Sequence, residues 1–280
     1  MQIVHVKEAV RDAVSAAQAE GKSIGLVPTM GALHEGHLSL VRAAVDECDF
    51  VVVSIFVNPT QFGPGEDLDS YPRDLEGDAT KVDALGANLV FAPSANEMYA
   101  DDACTVVSVK ALTQGLCGAH RPGHFDGVTT VVCKLLNIVR PDRAYFGRKD
   151  YQQLVVIRRM VRDLDMPVEV IGLPTVREED GLALSSRNAY LSEEERAVAP
   201  KLHEALVEGA RAAREGASGE EVEGLVAGRL EEEARFDVQY VKAVDADTLQ
   251  PMGDRAGPMV IAVAAYLGET RLIDNIAVED

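Results

Sequence analysis

The feature that most constrains the fold is the apolar, mostly β-branched run from Phe50 to Val57, which reads FVVVSIFV. A strand with apolar side chains at nearly every position has no face for solvent, which is typical of parallel sheets covered on both sides. Similar runs lie at residues 24–28, 88–92 and 168–173, and segments with helical spacing separate them. The alternation predicts an α/β fold with a doubly wound, mostly parallel sheet.

The pattern changes after residue 178. A capping box at Ser192 and Glu195 predicts the start of a helix that runs to about residue 209, and a second helix is expected near residues 220–234. Alternating apolar and polar residues then predict the strands of an antiparallel sheet. We therefore expect a doubly wound domain at residues 1–178 and a smaller C-terminal α+β domain at residues 179–280.

Charge and cysteine content disfavour several classes of protein. The formal net charge is −19 and acidic residues are spread along the chain, whereas a nucleic-acid surface needs clustered Lys and Arg. No apolar stretch approaches the roughly 18 residues of a membrane helix, and the N-terminal residues lack a secretory pattern. The four cysteines form no CxxC pair. We expect a cytoplasmic protein without nucleic-acid or membrane partners.

The first predicted strand passes into a helix at residues 28–37, which read PTMGALHEGH. Gly31 permits close approach of the backbone, and the free amides and positive dipole end of the helix favour a phosphate there. His34 and His37 share one helix face, from which two imidazoles can donate to phosphate oxygens. One alternative is zinc, but no third ligand is nearby, and the segment is neither a metalloprotease motif nor a P-loop. The other is two incidental surface histidines, which two of only six histidines beside glycines at such a turn disfavour.

Three further polar segments follow predicted strands or the domain boundary. Asn58 and Gln61 offer neutral amides that suit a small hydroxy acid, although Asn-Pro is also an ordinary turn. Lys149 follows a short strand and offers a point charge to a phosphate. Ser185 to Arg187 combine hydroxyls with a cation, which suits a loop that closes on pyrophosphate or, alternatively, a polar connector.

These motifs together carry a resemblance. His34-Glu35-Gly36-His37 resembles the His-x-Gly-His signature of a nucleotidyl-transfer superfamily whose members attack the α-phosphorus of ATP. The segments VPTMGALHEGH, SIFVNPTQF, RPGHFDGV, YFGRKDYQQ and LSSRNAYLS are similar to signatures of the pantothenate synthetase family, and the resemblance extends over essentially the whole chain. It implies a Rossmann-like ATP- and pantoate-binding domain followed by a lid domain.

The same resemblance implies an activity. The expected enzyme is an ATP-dependent ligase that converts (R)-pantoate into pantoyl adenylate with release of pyrophosphate. β-Alanine then attacks the acyl carbon, which yields pantothenate and AMP. ATP is a substrate, Mg²⁺ accompanies it, and the expected assembly is a homodimer.

The resemblance also assigns roles to residues. Catalysis is assigned to His34, His37, Lys149 and Arg187, with His37 as the proton donor. Binding of pantoate and β-alanine is assigned to Asn58, Gln61 and Gln153. Asp78 is the candidate metal ligand, although Gly77 stands where a second acid is expected. The implied ATP contacts are Met30, Gly31, Ala32, Leu33, His34, Glu35, Gly36, His37, Gly147, Arg148, Lys149, Asp150, Val176, Leu184, Ser185, Ser186 and Arg187.

Two other functions fit part of the pattern. A nucleotidylyltransferase acting on a phosphate ester needs an additional basic site, whereas Asn58, Gln61 and Gln153 are neutral. A non-catalytic nucleotide-binding module predicts loss of the histidine or cationic positions, yet these are all present. Both considerations favour the ligase.

Overall fold

The computed structural model describes residues 1–252 and 257–278, which form two compact units. The first unit contains Met1–Lys110, Arg121–Arg148 and Val156–Pro174. The second contains Ala111–His120, Lys149–Val155 and, as far as it is described, Thr175–Asp280. The sequence predicts one cut after residue 178, whereas two earlier segments of the chain join the second unit. No helix among the described residues is long and apolar enough to cross a membrane.

A six-stranded parallel sheet forms the centre of the first unit. Its strands are β1 (Gln2–Val4), β2 (Ile24–Thr29), β3 (Phe50–Ile55), β4 (Leu89–Phe91), β5 (Arg143–Gly147) and β6 (Glu169–Leu173). They lie in the order β1-β4-β3-β2-β5-β6, and every neighbouring pair is parallel. The predicted doubly wound sheet is confirmed. The strand order reverses between β2 and β5, and ligands of such sheets bind at the carboxyl ends of the strands beside this reversal.

The helices separate the strands as the sequence predicts. In chain order they are α1 (Lys7–Ala19), α2 (Glu35–Glu47), α3 (Leu75–Ala84), α4 (Ala95–Met98), α5 (Leu116–His120), α6 (His124–Val139), α7 (Tyr151–Asp163), α8 (Glu193–Val198), α9 (Lys201–Arg214) and α10 (Gly219–Glu231). Helix α3 begins at Leu75, with Asp74 as its N-cap. Pro72 lies just before this start, and a proline disfavours helical backbone at the residue that precedes it.

The first unit owes its core to the strands that the sequence shows as apolar runs. Val51, Val52 and Val53 of β3 and Leu26 of β2 are each at most 1% exposed. Each such side chain stabilises the fold by about 1.5–3 kcal/mol relative to its exposed state. Residues of α2, including Val41, pack in the same apolar cluster as β2 and β3. This packing fixes the start of α2 against the end of β2.

The second unit contains a three-stranded antiparallel sheet in which β8 (Met259–Leu267) lies between β7 (Phe236–Asp245) and β9 (Thr270–Val278). Helices α9 and α10 pack against this sheet around a shared apolar core. The capping box at Ser192 is confirmed. However, the single helix predicted from there to residue 209 is two helices, α8 and α9. Pro200 separates them because it lacks the N–H that a continuous helix requires.

Candidate active site

The turn from β2 into α2 places two imidazoles at the start of the helix. His34 is the N-cap, and its Nδ1 accepts a hydrogen bond from Gly36 N at 3.2 Å. His37 Nδ1 accepts from His34 N at 3.4 Å, and the ring centroids are 4.2 Å apart. A neutral imidazole whose Nδ1 is an acceptor carries its proton on Nε2. When either ring is neutral, this geometry places its proton on Nε2.

The backbone ahead of this cap is held in an unusual shape. Gly31 and Ala32 both have left-handed backbone angles, with φ values of 87° and 50°. A Cβ atom on Gly31 would lie 3.2 Å from both Asp78 Oδ2 and Ile55 Cγ2, so glycine fits best here. Leu33 N donates to Asp78 Oδ1 at 2.8 Å. Strand β3 and helix α3 therefore support the turn on which the histidines stand.

Asp78, the predicted metal ligand, is fully buried. Its Oδ1 is 3.4 Å from Lys81 Nζ, whereas its Oδ2 has no hydrogen-bond partner in the described part of the chain. The residue lines a cavity of about 470 Å³ within the first unit, beside Met30, Gly31 and Arg73. No group of three or more His, Cys, Asp or Glu side chains among the described residues is arranged to hold a metal. Asp78 thus offers one carboxylate oxygen as a possible metal ligand.

The polar residues after β3 form a closed hydrogen-bonded group. Asn58 caps a 3-10 turn at Pro59–Gln61, and both amides are buried. Asn58 Nδ2 donates to Gln61 Oε1 at 3.1 Å, and Gln61 Nε2 donates to Met30 Sδ at 2.9 Å. Asn58 Oδ1 accepts from Tyr99 Oη at 2.8 Å. The side chain of Asn58 is therefore used within the protein, where it orients Gln61.

Several residues that hold Gln61 have no role in the sequence prediction. His124 Nδ1 donates to the Gln61 carbonyl oxygen at 2.7 Å. Arg121 Nη1 donates to His124 Nε2 at 3.1 Å, and its fork pairs with Glu66 at 2.6 and 2.7 Å. A Cβ atom on Gly127 would lie 2.4 Å from Thr60 O, so α6 packs directly against the turn. Arg121, His124 and Gly127 lie in the segment RPGHFDGV, to whose residues the family resemblance assigns no role.

Two further residues of the first unit lie beside the reversal of strand order. Gly147 ends β5, next to β2, and a Cβ atom there would meet nothing within 4 Å. Its backbone is therefore open to close approach by a ligand. Arg148 follows at once, and its Nε donates to Gly172 O on β6 at 3.1 Å. The Arg148 side chain accordingly lies along the neighbouring strand.

The second unit carries the remaining predicted residues. Lys149 and Asp150 end a 3-10 turn directly before α7, and Gln153 lies on the first turn of that helix. Leu184 N donates to Val176 O at 3.0 Å in a short hairpin. Ser185 then caps a 3-10 helix at Ser186–Tyr190, with its Oγ accepting from Arg187 N at 3.3 Å. A compact hairpin therefore positions the Ser-Ser-Arg segment.

The model of the Pantoate-beta-alanine ligase family matches residues 2–277. The chain belongs to this family. It is 55% identical to the Pantothenate synthetase of Moorella thermoacetica, with 100% of this chain and 99% of the relative covered. The expected family is therefore confirmed.

Solved structures of the family agree with the fold. The Pantothenate Synthetase of Thermus Thermophilus matches with a TM-score of 0.95 and 49% identity, over 100% of both chains. The Pantoate-beta-alanine Ligase of Francisella tularensis, complexed with Beta-gamma ATP and Beta-alanine, matches with a TM-score of 0.83 and 34% identity, over 100% of this chain and 98% of that one. The Rossmann-like α/β fold with a smaller α+β unit is thus confirmed.

Proposed function

We propose that the chain is an ATP-dependent ligase that condenses (R)-pantoate with β-alanine through a pantoyl adenylate. The observation that carries the proposal is the β2–α2 turn, where Nδ1 of both imidazoles accepts a backbone hydrogen bond at the start of α2. The proposal is supported by the 55% sequence identity to a pantothenate synthetase over the full length of the chain. It is also supported by the related structure that is complexed with Beta-gamma ATP and Beta-alanine. The chemistry follows from placing donors where negative charge develops.

In the first step, a pantoate carboxylate oxygen attacks the α-phosphorus of ATP. The bond from that phosphorus to the bridging oxygen breaks, and pyrophosphate leaves with the electron pair. The Nε2–H groups of His34 and His37 and the amides at the start of α2 donate to phosphate oxygens. Lys149 and Arg187 offset the negative charge that accumulates on pyrophosphate. Gln61 and Gln153 orient pantoate through neutral hydrogen bonds.

In the second step, the amine of β-alanine attacks the acyl carbon of the adenylate. The acyl–oxygen bond breaks, AMP leaves, and the new amide loses a proton to solvent or a neighbouring base. The reaction needs no covalent bond to the protein. Its acceleration comes from holding the amine and the activated acyl group in contact, which can lower a barrier by about 7–11 kcal/mol.

Incorporation of radiolabelled pyrophosphate into ATP tests the proposed function directly. We expect exchange when (R)-pantoate is supplied and none when it is omitted, without any requirement for tRNA. Addition of β-alanine should convert the adenylate to pantothenate and AMP in equal amounts. Exchange that depended on a phosphate ester such as nicotinate mononucleotide, and not on pantoate, would identify a nucleotidylyltransferase instead.

Mg²⁺ fits this site as an ion carried by ATP. Within the described part of the chain, Oδ2 of buried Asp78 has no hydrogen-bond partner and so offers one oxygen ligand. Phosphate oxygens and water are the usual remaining ligands of Mg²⁺ in nucleotide sites. When bound, the ion neutralises phosphate charge. Asp78 therefore fits as a protein ligand of an ion that ATP brings to the site.

We expect Asp78→Asn to raise the Mg²⁺ concentration that gives half-maximal exchange, because a neutral amide oxygen binds Mg²⁺ more weakly than a carboxylate. The substitution keeps an acceptor for Leu33 N, so the turn should keep its shape. The control is Glu76→Gln, an exposed acid of the same helix. An unchanged Mg²⁺ requirement in Asp78→Asn would show that the carboxylate does not serve the ion.

We also propose a cytoplasmic homodimer, as the family resemblance implies. Val106 lies outside any helix or strand in the described part of the chain and is 63% exposed, and contact with a second copy would remove this apolar side chain from water. Light scattering on the purified protein should give twice the chain mass of 30.1 kDa. A monomeric mass at working concentrations would contradict the dimer.

A further inference from the structure

Two consecutive polar residues, Asp274 and Asn275, are buried in β9, at 3% and 7% exposure. Neither is assigned a role by the chemistry proposed above. Burial of such groups costs free energy unless they are hydrogen-bonded, and apolar residues of similar volume would pack at least as well. Their hydrogen-bond partners therefore indicate what the pair contributes.

Asp274 holds the hairpin that leads into the Ser-Ser-Arg segment. Its Oδ2 accepts from Arg177 Nη1 at 2.6 Å, and its Oδ1 accepts from Arg177 Nη2 at 3.0 Å. Arg177 pairs with Ala183 across the hairpin and also donates from Nη1 to Gly181 O at 3.1 Å. This bidentate, largely buried ion pair attaches the hairpin to β9. The hairpin ends at Leu184, directly before Ser185.

Asn275 holds the turn that carries Lys149. Its Nδ2 donates to the Lys149 carbonyl oxygen at 2.7 Å. That carbonyl belongs to the peptide plane between Lys149 and Asp150, so the hydrogen bond fixes the backbone from which the Lys149 side chain departs. Asp274 Oδ1 also accepts from Asn275 N at 2.8 Å. Strand β9 thus holds both the hairpin that precedes the Ser185–Arg187 segment and the turn that carries Lys149.

We propose that Asp274 and Asn275 are positioning residues of the ligase reaction, which fix Lys149 and the Ser185–Arg187 segment relative to each other within the second unit. The inference rests on the proposed function, since it concerns the charges assigned to pyrophosphate. Cations that are held in place before the reaction need no reorganisation as charge develops. A shift of about 1 Å in such a group costs up to about 10²-fold in rate.

The test is Asn275→Asp, which keeps the shape of the side chain but replaces the amide donor with an acceptor. We expect the kcat of pantoate-dependent exchange to fall by about 10- to 100-fold, with a change of less than about 3-fold in KM for ATP. The deficit should shrink as the pH is lowered, because protonation of the introduced carboxyl restores a donor for the Lys149 carbonyl. Asn275→Leu removes the donor without adding charge and should lose kcat at every pH.

The matched control is Thr270→Val, which removes another buried polar group from the same strand at 7% exposure. It should leave kcat unchanged. Parental kcat in folded Asn275→Asp and Asn275→Leu overturns the inference, and so does a loss of kcat in Thr270→Val equal to theirs. An unmodified protein without pantoate-dependent exchange refutes the proposed function instead, so the two failures are distinguishable.

Discussion

We expect His37→Ala to lower the kcat of pantoate-dependent pyrophosphate exchange by about 10²- to 10³-fold, the usual effect of removing one donor from a developing negative charge. The reason is the hydrogen bond from His34 N to His37 Nδ1, which makes Nε2 the donor assigned to phosphate in the proposed mechanism. Adenylate formation should suffer most, because it is the step in which charge moves onto pyrophosphate. KM for ATP should change much less than kcat.

The variant should remain folded. Loss of one capping interaction costs about 1 kcal/mol, against a total stability of about 5–15 kcal/mol for a protein of ordinary size. Thermal unfolding measured beside the exchange assay separates the two effects. The control is His5→Ala, which removes an exposed histidine bonded to Ala92 O and should keep the parental rate. Exchange at the parental rate in His37→Ala would show that His37 does not contribute to adenylate formation.

Lys149→Met should reduce exchange by a similar factor, about 10²- to 10³-fold, because it removes a positive charge while keeping an unbranched side chain. Lys149 lies on the short turn before α7, and its carbonyl is held by Asn275. The backbone of this turn does not depend on the ammonium group, so the melting temperature should shift little. Single-turnover formation of pantoyl adenylate is the measurement that isolates the affected step.

The control for this variant is Lys242→Met in the same unit. Lys242 is on β7 and pairs with Glu223 at 2.7 Å, with its side chain 48% exposed. Loss of such a surface pair costs at most about 1 kcal/mol and should not alter the rate of exchange. Equal rates in Lys149→Met and Lys242→Met would show that the charge of Lys149 takes no part in the reaction.

The sheet was predictable from the sequence because a strand buried on both faces appears as a continuous run of apolar residues. The apolar runs that became β2, β3, β4 and β6 needed no knowledge of their partners. Helix boundaries were less readable: the break at Pro200 follows from one residue, yet helical periodicity continues on both sides of it. Periodicity reports the local backbone state and not which compact unit a segment joins. Residues 111–120 and 149–155 illustrate this.

The candidate site was predictable where its residues adjoin strand ends, as at His34 and His37. The residues around Gln61 were not, because they come from distant parts of the chain. Tyr99 reaches Asn58 across 41 positions, and His124 reaches the Gln61 carbonyl across 63. The His124 contact depends on how α6 packs against the turn after β3, and the Tyr99 contact depends on where α4 ends. A single sequence holds no periodic signal for such packing.

The anchoring of Gln61 also bears on how the acid specificity of this scaffold can change. The Gln61 side chain is hydrogen-bonded to both Asn58 and Met30, and the backbone carbonyl of Gln61 accepts a hydrogen bond from His124. A substitution at Gln61 alone leaves the buried Asn58 amide without one of its partners, which costs about 1–3 kcal/mol. Contacting residues of this kind combine non-additively. Because Gln61 is the proposed contact of pantoate, a redesign for a different carboxylic acid should pair changes at Gln61 and Asn58, which libraries that vary one position at a time do not sample.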